Sequence, residues 1–578
     1  MRLVEALEVL KRPVPKDAPL QRVFLACGFT PLHLETFLHA HLRSAAPTDA
    51  IEIQTGVFGD LAGNIERLDR SGCDTLVAAI EWPDLDARLG MRSLGGWRAA
   101  DLPDIVESAE NAANRLKKAL RAVAKMIPVC VSLPTLPLPP LFTAPTQQAS
   151  RWELQLRQCV ASLATDVAEE SSVRVLSTQT LDEVSPPHAR FDPDAEMATG
   201  FPYKLPHASA LAEALAGLIY GRLPMKGIIT DLDDTVWSGI LGDVGVNGVC
   251  WDLSSHAQGH GLFQQFLESL ASAGVLVGAA SKNDRELVEV AFQRKDLILR
   301  AESVYPIEAH WGKKSASVAR ILGTWNVGPE AVVFVDDSPM ELAEVKSVFP
   351  EMECILFPKD DYRAIWNLLR RLRDLFGKAA LREEDSIRLQ SVRRASNAPE
   401  FTNASDSSAD NFLQKANATI RFALGKDLAD ARALELVNKT NQFNLNGRRM
   451  TEAQWRAYLQ EANTFLLTAN YEDKYGPLGK IAVIMGSASG DRLFIDTWVM
   501  SCRAFSRRIE HHCLRYLFDK FSADEIAFDY QATERNGPLR SFFEELLQGP
   551  LESDLRIARE CFEKGSPRLL HQVTEVHS

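Results

Sequence analysis

The stretch Lys226–Trp237, KGIITDLDDTVW, places three carboxylates within four positions directly after a short apolar segment. Carboxylates this close repel one another, and burying them is costly unless a positive charge neutralises them. In an open α/β sheet, reactive groups collect at the carboxyl ends of the strands. The stretch therefore predicts a strand over residues 226–230 that ends at a site for a divalent cation and a phosphate group.

Further polar groups follow the next predicted elements of the same region. They are Ser281 and Asn283 after the strand GVLVGAA (274–280), Lys313 and Lys314 at the start of a helix, and Asp336 and Asp337 after the strand AVVFV (331–335). A fourth strand is predicted at MECILF (352–357). Strands that alternate with helices indicate a parallel sheet covered on both faces. These side chains are therefore expected at one edge of one sheet.

Phosphoryl transfer explains why these residue types occur together. Asp231 is the expected nucleophile, because a carboxylate can form a covalent acyl phosphate and divide one hard displacement into two easier ones. Asp233 is expected to protonate the leaving oxygen and later to activate water. Ser281 and a lysine would bind the oxygens of the transferring phosphoryl group.

Mg²⁺ is the cofactor that this set of oxygen atoms predicts. The ion takes carboxylate and phosphate oxygens as ligands in octahedral geometry. Its charge also permits so many carboxylates in one place. The expected ligands are Asp231, Asp233, Asp336 and Asp337.

The order of these segments resembles the haloacid dehalogenase (HAD) superfamily, whose motifs are DxDx[TV], a Ser or Thr, a Lys and an acidic pair. The longer stretches DLDDTVWSGILGDVG, GVLVGAASKND, HWGKKS and VVFVDDSPME resemble its FkbH-like branch, subfamily IIIC. Asp234 stands where that branch usually has Asn, and Ser238 where it has Gly. The resemblance implies a HAD-like, Rossmannoid phosphatase domain over 223–378 with Lys314 as the motif lysine. Contacts to the substrate or carrier are expected from Thr235, Trp237 and Asn283.

The last third of the chain resembles the C-terminal half of FkbH-like proteins, which is similar to the N-acetyltransferase (GNAT) fold. The resemblance rests on ELVNKTNQFNLNGRRMT (435–451), DKYGPLGKIAV (473–483) and IDTWVMSCRAFSRRIE (495–510). It implies a linker at 379–409 and a GNAT-like acyltransferase domain over 410–578. The segment RAFSRR lacks the glycines of an acetyl-CoA loop, so the phosphopantetheine arm of a carrier protein is expected instead.

Two kinds of site residue are expected in this third domain. Cys502 is at the position of a thiol that could hold an acyl group, with Arg503 beside it to favour the thiolate. A buried structural cysteine is the alternative interpretation. Asn441, Asn444 and Asn536 are expected to line a polar groove, and structural capping explains them equally well.

The first 222 residues predict a parallel α/β domain with a flavodoxin-like order of elements, and they resemble SGNH hydrolases. The nucleophilic Ser is replaced, because the first strand ends Ala26-Cys27-Gly28. His207 follows Lys-Leu-Pro, without the Asp of the hydrolase motif. A Ser-His-Asp triad is therefore not predicted. We expect a degenerate domain that acts as a scaffold or docking surface, and Cys27 as a substitute nucleophile is left open.

Composition limits the functional classes. The 578 residues carry a net charge of −13, with 64 basic and 77 acidic residues. A large nucleic-acid surface is not expected, because phosphate binding requires a basic face. The nine cysteines form no CxxC pair, and no segment approaches the apolar run of about 20 residues that a membrane helix needs. A cytoplasmic, multidomain α/β protein is the expectation.

The FkbH-like resemblance also implies an overall reaction. The enzyme would dephosphorylate a three-carbon acyl phosphate resembling 1,3-bisphosphoglycerate and load the glyceryl or a related acyl unit onto an acyl carrier protein, in polyketide or similar biosynthesis. Two alternatives remain open: a simple HAD phosphatase whose flanking domains select the substrate, and a non-catalytic assembly protein that uses its domains for docking.

Overall fold

The computed structural model describes residues 1–15, 18–69, 72–221, 223–378, 393, 414, 417–427, 430–440, 442–474, 476–490, 492–501, 504, 507–533, 536–551 and 554–576. The chain is an α/β protein, and its described part contains three β-sheets. It has two compact units, Met1–Arg222 with Thr451–Gln454 and Leu223–Met450 with Trp455–Ser578. Apart from Arg393, the predicted linker at 379–409 lies outside the described residues. The predicted domain boundaries stay predictions.

The first sheet is entirely parallel, with strand order β2-β1-β3-β4-β5. Its strands are β1 (Leu20–Cys27), β2 (Ala50–Thr55), β3 (Thr75–Ala79), β4 (Val129–Ser132) and β5 (Val173–Val175). Its helices are α1 (Leu3–Leu10), α2 (Leu32–Ala45), α3 (Leu61–Glu66), α4 (Trp82–Leu85), α5 (Leu102–Ala124), α6 (Arg151–Ala168), α7 (Thr178–Val184), α8 (Pro193–Thr199) and α9 (Leu205–Ile219). The predicted parallel α/β organisation of this region is confirmed.

The central sheet is also parallel, with strand order β10-β9-β6-β7-β8. Its strands are β6 (Gly227–Thr230), β7 (Leu276–Ser281), β8 (Ile307–Ala309), β9 (Val332–Asp336) and β10 (Glu353–Leu356). Its helices are α10 (Leu241–Val244), α11 (Gln258–Ser272), α12 (Arg285–Ala291), α13 (Lys314–Trp325), α14 (Pro339–Val348) and α15 (Tyr362–Phe376). The edge strand β8 was not predicted, because three residues are too few to show a periodic apolar pattern.

Burial explains why these segments form the strands and covering helices of the central sheet. β6, β7 and β9 are buried along their whole lengths, which suits the near-continuous apolar runs of a sheet covered on both faces. The covering helices are amphipathic: α15 buries Ile365, Leu368, Leu372 and Leu375 along one face. The sheet edge at which β6, β7 and β9 end is thereby held rigidly.

The third sheet is mixed, with strand order β17-β16-β15-β14-β13-β11-β18 and β12 paired with β15. Its strands are β11 (Thr419–Leu424), β12 (Phe443–Asn444), β13 (Thr464–Asp473), β14 (Gly476–Ser489), β15 (Arg492–Met500), β16 (Glu525–Phe528), β17 (Leu555–Ala558) and β18 (Gln572–Val576). Its helices are α16 (Ala431–Lys439), α17 (Glu452–Gln460), α18 (Ile509–Phe521), α19 (Gly537–Leu547) and α20 (Arg559–Gly565). None of the helices in the described part of the chain combines the length and the apolar character needed to cross a membrane.

Candidate active site

The carboxyl ends of three neighbouring strands bring most of the predicted residues of the central sheet together. Asp231 and Asp233 follow β6, Ser281 is the last residue of β7, and Asp336 is the last residue of β9. Since β6 lies between β9 and β7 and all three are parallel, their carboxyl ends meet at one edge. The structure therefore gathers these side chains where the sequence predicted a site.

Three carboxylates form a compact group at this edge. Asp231, Asp336 and Asp337 each offer one oxygen, and these oxygens lie within 4.8 Å of one another. Asp231 is 6% exposed and Asp336 is fully buried. Oxygen-only ligands suit a hard divalent cation such as Mg²⁺. Three of the four predicted ligands are thus within reach of one ion, whereas the Asp233 side chain is not in this group and has other partners.

Lys314, at the first position of α13, supplies a positive charge to the buried carboxylates. Its Nζ lies 2.8 Å from Asp231 Oδ1 and 2.5 Å from Asp336 Oδ2. The Lys314 side chain is 4% exposed, whereas Lys313 is exposed to solvent. Burial opposes the charge on Lys314, but the two carboxylates outweigh it and raise the pKa of the ammonium group.

The electrostatic surroundings of Asp231 also favour the binding of a cation beside its carboxylate. Burial raises the pKa of the Asp231 carboxyl to about 7; Lys314 opposes this shift and the charge of Asp336 adds to it. Burial likewise raises the pKa of Asp336. Asp231 Oδ1 is buried, and Lys314 Nζ lies 2.8 Å from it while also contacting Asp336. Two buried carboxylates that share one ammonium group fit a place where a metal ion binds.

Asp233 is held by two nitrogen donors. The Trp237 indole Nε1 donates to Asp233 Oδ1 at 2.9 Å, and Asn283 Nδ2 donates to Asp233 Oδ2 at 3.0 Å. Trp237 is fully buried and Asn283 is 2% exposed. Both side chains are enclosed and bond to Asp233, and the direct substrate or carrier contact expected of these two residues stays a prediction.

Ser281 and Thr235 lie beside this group with different surroundings. Ser281 is 2% exposed, and its Oγ lies 3.0 Å from Asn283 Nδ2. Thr235 is fully buried, and its Oγ1 has no hydrogen-bond partner among the residues that the structure describes. The backbone carbonyl of Thr235 lies 3.0 Å from His260 Nδ1, which ties the loop after β6 to α11. Thr235 is therefore placed under the site rather than on an open surface.

Lys359 is a charged residue of the site that the sequence analysis missed. Its Nζ lies 2.7 Å from Asp234 Oδ2 and 3.0 Å from Asp337 Oδ2. Asp234 also accepts the backbone N–H of Gly239 at 2.8 Å, so both of its oxygens are in use. The extra carboxylate at position 234 is thereby paired. The available signal was a lysine two residues after the last predicted strand of the region, in the segment FPKDD.

The residues predicted in the third domain are partly described. Asn441, Cys502 and Arg503 lie outside the described residues. Asn444 is buried, donates to the carbonyl of Thr440 at 3.0 Å, and accepts the backbone N–H of Gly447 at 2.8 Å. Asn536 is buried and donates to the carbonyl of Asn444 at 3.2 Å. Both side chains stabilise loops, so the structural-capping alternative accounts for these contacts.

The first unit has an inert arrangement at the positions of the hydrolase residues. Cys27 is 4% exposed, its thiol donates to the carbonyl of Phe29 at 3.2 Å, and burial raises the pKa of the thiol. His207 is fully buried between hydroxyl groups, with Nε2 3.0 Å from Thr135 Oγ1 and Nδ1 2.9 Å from Ser185 Oγ. A buried, protonated thiol is a poor nucleophile. These contacts weigh against Cys27 as a substitute nucleophile.

Comparison with solved structures shows a structural likeness to a protein that contains a phosphatase domain. No family model and no curated protein matches the chain. The N-terminal part of the protein BF1531 from Bacteroides fragilis, which contains a phosphatase domain complexed with Mg, is 18% identical; the match covers 66% of this chain and 100% of that one, with a TM-score of 0.50. At this identity the match shows a similar fold.

Weaker structural matches exist among lipases. Phospholipase A1 from Streptomyces albidoflavus is 9% identical and covers 36% of this chain and 100% of its own, with a TM-score of 0.25. The extracellular lipase from Streptomyces rimosus is 12% identical and covers 34% of this chain and 100% of its own, with a TM-score of 0.21. Scores this low carry no argument about fold, and the SGNH-like character of the first unit stays a prediction.

Proposed function

We propose that this chain is a Mg²⁺-dependent phosphatase that transfers a phosphoryl group to Asp231 and then to water. The observation that carries the proposal is the group Asp231, Asp336 and Asp337 at the carboxyl edge of the central sheet, with Lys314 between two of its carboxylates. The fold shared with a phosphatase-domain protein complexed with Mg supports both the reaction class and the ion.

The proposed reaction has two halves. In the first, an Asp231 oxygen attacks phosphorus, the bond from phosphorus to the leaving oxygen breaks, and Asp233 gives its proton to that oxygen. In the second, Asp233 takes a proton from water while the water oxygen attacks phosphorus, which releases inorganic phosphate and the Asp231 carboxylate. Asp231, Asp336 and Asp337 would hold Mg²⁺, which supplies positive charge opposite the phosphoryl oxygens.

Lys314 and Ser281 assist the nucleophile and the phosphoryl group in this proposal. Lys314 favours the ionised, nucleophilic form of Asp231, because an adjacent ammonium group stabilises a carboxylate. Ser281 ends the strand next to β6 and can donate its hydroxyl proton to a phosphoryl oxygen. The two side chains act from different strands of one rigid sheet.

Phosphate release from acetyl phosphate tests the proposal. The wild-type protein should release phosphate with Mg²⁺ and lose this activity in EDTA. Asp231→Asn should lower kcat at least about 1,000-fold, because it removes the nucleophile. Asp296→Asn is the matched control: this exposed Asp pairs with Arg294 and should leave kcat unchanged. Equal activity of wild type and Asp231→Asn would overturn the proposal.

We further propose, on the sequence resemblance, that the Cys502 thiolate attacks the acyl carbon of a three-carbon acyl phosphate, so that the bond from this carbon to the phosphate oxygen breaks and inorganic phosphate leaves. The acyl unit then passes from Cys502 to the phosphopantetheine thiol of an acyl carrier protein, and Cys502 regains its thiol. Asp231 would act on a phosphate ester of the same unit, because phosphoryl transfer from the acyl phosphate itself would release an unactivated carboxylate. The cysteines in the described part of the chain are free thiols, which favours a reducing, cytoplasmic location. Loss of activity in Cys502→Ala would support the thiol's role.

Intact-mass measurement separates this overall function from its alternatives. After incubation with 1,3-bisphosphoglycerate and a holo carrier protein, a gain in carrier mass supports acyl transfer. Phosphate release without a mass gain favours a simple phosphatase whose other domains select the substrate. If neither phosphate release nor a gain in carrier mass is observed, a non-catalytic assembly protein is favoured.

A further inference from the structure

The carboxylate of Asp233 has one buried donor on each oxygen. The donor pair, defined as Trp237 Nε1 and Asn283 Nδ2, lies 2.9 Å from Oδ1 and 3.0 Å from Oδ2 respectively. Trp237 is fully buried and packs edge-on against Phe292, with ring centroids 5.9 Å apart. A donor embedded in the core cannot move far, so it fixes the acceptor that it contacts.

The backbone of the loop after β6 places the indole beneath the carboxylate. The N–H groups of Val236 and Trp237 both donate to the carbonyl of Leu232, at 2.8 Å and 3.2 Å. Asp233 and Trp237 also form an isolated bridge across this turn. The chain therefore folds back within five residues, and the side chains of Asp233 and Trp237 meet across this turn.

Asn283 reaches the same carboxylate from another part of the sheet. It follows β7, the neighbour of β6, and its Nδ2 also lies 3.0 Å from Ser281 Oγ. The two donors thus come from two separate strand ends. Hydrogen bonds from two directions define the plane of a carboxylate, as bidentate contacts do elsewhere.

We propose that Trp237 and Asn283 are positioning residues that hold Asp233 for proton transfer to the leaving oxygen. The inference rests on the proposed function. As the bond from phosphorus to the leaving oxygen breaks, the electron pair stays on that oxygen and the Asp233 proton moves to it. Because proton transfer requires hydrogen-bond reach and alignment, a carboxylate that rotates freely is a poorer acid.

The need for this proton depends on the leaving group. An alkyl phosphate releases an alkoxide, which must be protonated as it leaves. An acyl phosphate releases a carboxylate, which is stable without the proton. Loss of either donor should therefore slow the hydrolysis of alkyl phosphates much more than the hydrolysis of acyl phosphates.

The test compares kcat/KM for ethyl phosphate and acetyl phosphate in Mg²⁺, since kcat/KM reports the first half-reaction. Trp237→Phe and Asn283→Ala should each lower the value for ethyl phosphate about 10- to 100-fold and the value for acetyl phosphate less than about threefold. Asp233→Asn removes the acid itself and should therefore show the largest difference between the losses of kcat/KM for the two substrates. If Trp237→Phe does not fold, Asn283→Ala decides alone, because Asn283 contributes no ring to the core.

Trp325→Phe is the matched control. Trp325 is another buried tryptophan of the central sheet region, and its Nε1 donates to the carbonyl of Tyr305 at 2.7 Å. Its loss should lower stability without changing the ratio of the two kcat/KM values. If the ratio of the two kcat/KM values is unchanged in both donor-pair variants, this inference is overturned and the proposed function is not. Wild-type protein inactive on both substrates would overturn the proposed function and this inference with it.

Discussion

Lys314 places a single ammonium group against two buried carboxylates. Asp231 and Asp336 lie within 2.8 Å of its Nζ, and all three side chains are less than one-tenth exposed. Removing one member of a buried ion group leaves the others without compensation. Lys314 is therefore expected to stabilise the fold as well as to serve the reaction.

Lys314→Met should lower the unfolding free energy of the central sheet region by about 3–5 kcal/mol in EDTA, because two carboxylates lose their counter-charge. Mg²⁺ should restore part of the loss, since a bound cation supplies the missing charge. Thermal midpoints with EDTA and with Mg²⁺ measure both effects.

Lys282→Met provides the comparison for this prediction. Lys282 pairs with Glu341 at 2.6 Å, but its side chain is 40% exposed. Such surface pairs contribute only about 0.2–1 kcal/mol. Equal midpoint losses in the two variants would contradict the role assigned to Lys314.

At the scale of elements, two glycines let α13 approach the sheet. A Cβ atom at Gly227 of β6 would lie 2.6 Å from the Trp325 ring, and one at Gly278 of β7 would lie 2.8 Å from it. Trp325 is the last residue of α13, and Lys314 is the first. The close contact at one end of the helix thus helps to fix the charged residue at the other.

Gly227→Ala should destabilise the central sheet region by about 1–3 kcal/mol, because the added methyl group overpacks the core against Trp325. In a Trp325→Leu background the same change should cost less, since the two sites are in contact and their effects are not additive. Chemical denaturation of the four proteins measures the coupling.

Gly323→Ala is the matched control within the same helix. Within the described part of the chain, a Cβ atom at Gly323 would meet nothing within 4 Å. Replacing Gly by Ala in a helix interior stabilises by about 0.5–1 kcal/mol. A loss of stability in Gly323→Ala as large as that in Gly227→Ala would contradict the packing argument.

At the scale of the whole molecule, buried histidines link stability to pH. Burial lowers the pKa of His207 in the first unit to about 3, with a contribution from Arg190. Burial lowers the pKa of His512 to about 3 and that of His571 to about 4 in the second unit. Each imidazole stays neutral in the folded state and takes up a proton readily when the chain unfolds.

These histidines therefore contribute a loss of stability as the pH falls from about 6.5 towards 3, because in the unfolded state they bind more protons there. Buried carboxyls such as Glu81 and Asp84, whose pKa burial raises to about 7, contribute in the opposite direction. For His207 alone the loss between pH 7 and pH 5 is about 2 kcal/mol. His207→Asn should lower the thermal midpoint at pH 7, and its difference from the wild-type midpoint should shrink towards pH 5. His256→Asn, at an exposed histidine, should keep the wild-type pH dependence; the same pH dependence in all three proteins would contradict the prediction.

Much of the candidate site could be inferred from the order of the residues. Strand β6 and the ends of β7 and β9 were predictable, because parallel buried strands are continuous apolar runs and their carboxyl ends share one edge. The choice of Lys314 over Lys313 came from the FkbH-like resemblance, and the structure buries Lys314 within the site. The three-residue strand β8 was missed, since it is too short to carry a pattern.

The partners of the carboxylates could not be inferred in this way. Trp237 was expected to contact the substrate or carrier, and its buried indole bonds to Asp233; Lys359, which follows β10, reaches Asp337. Residue types and strand ends are properties of local sequence, so they determined which groups meet. Hydrogen-bond partners depend on the paths of loops from several strands, and only the packing of the folded chain sets those paths.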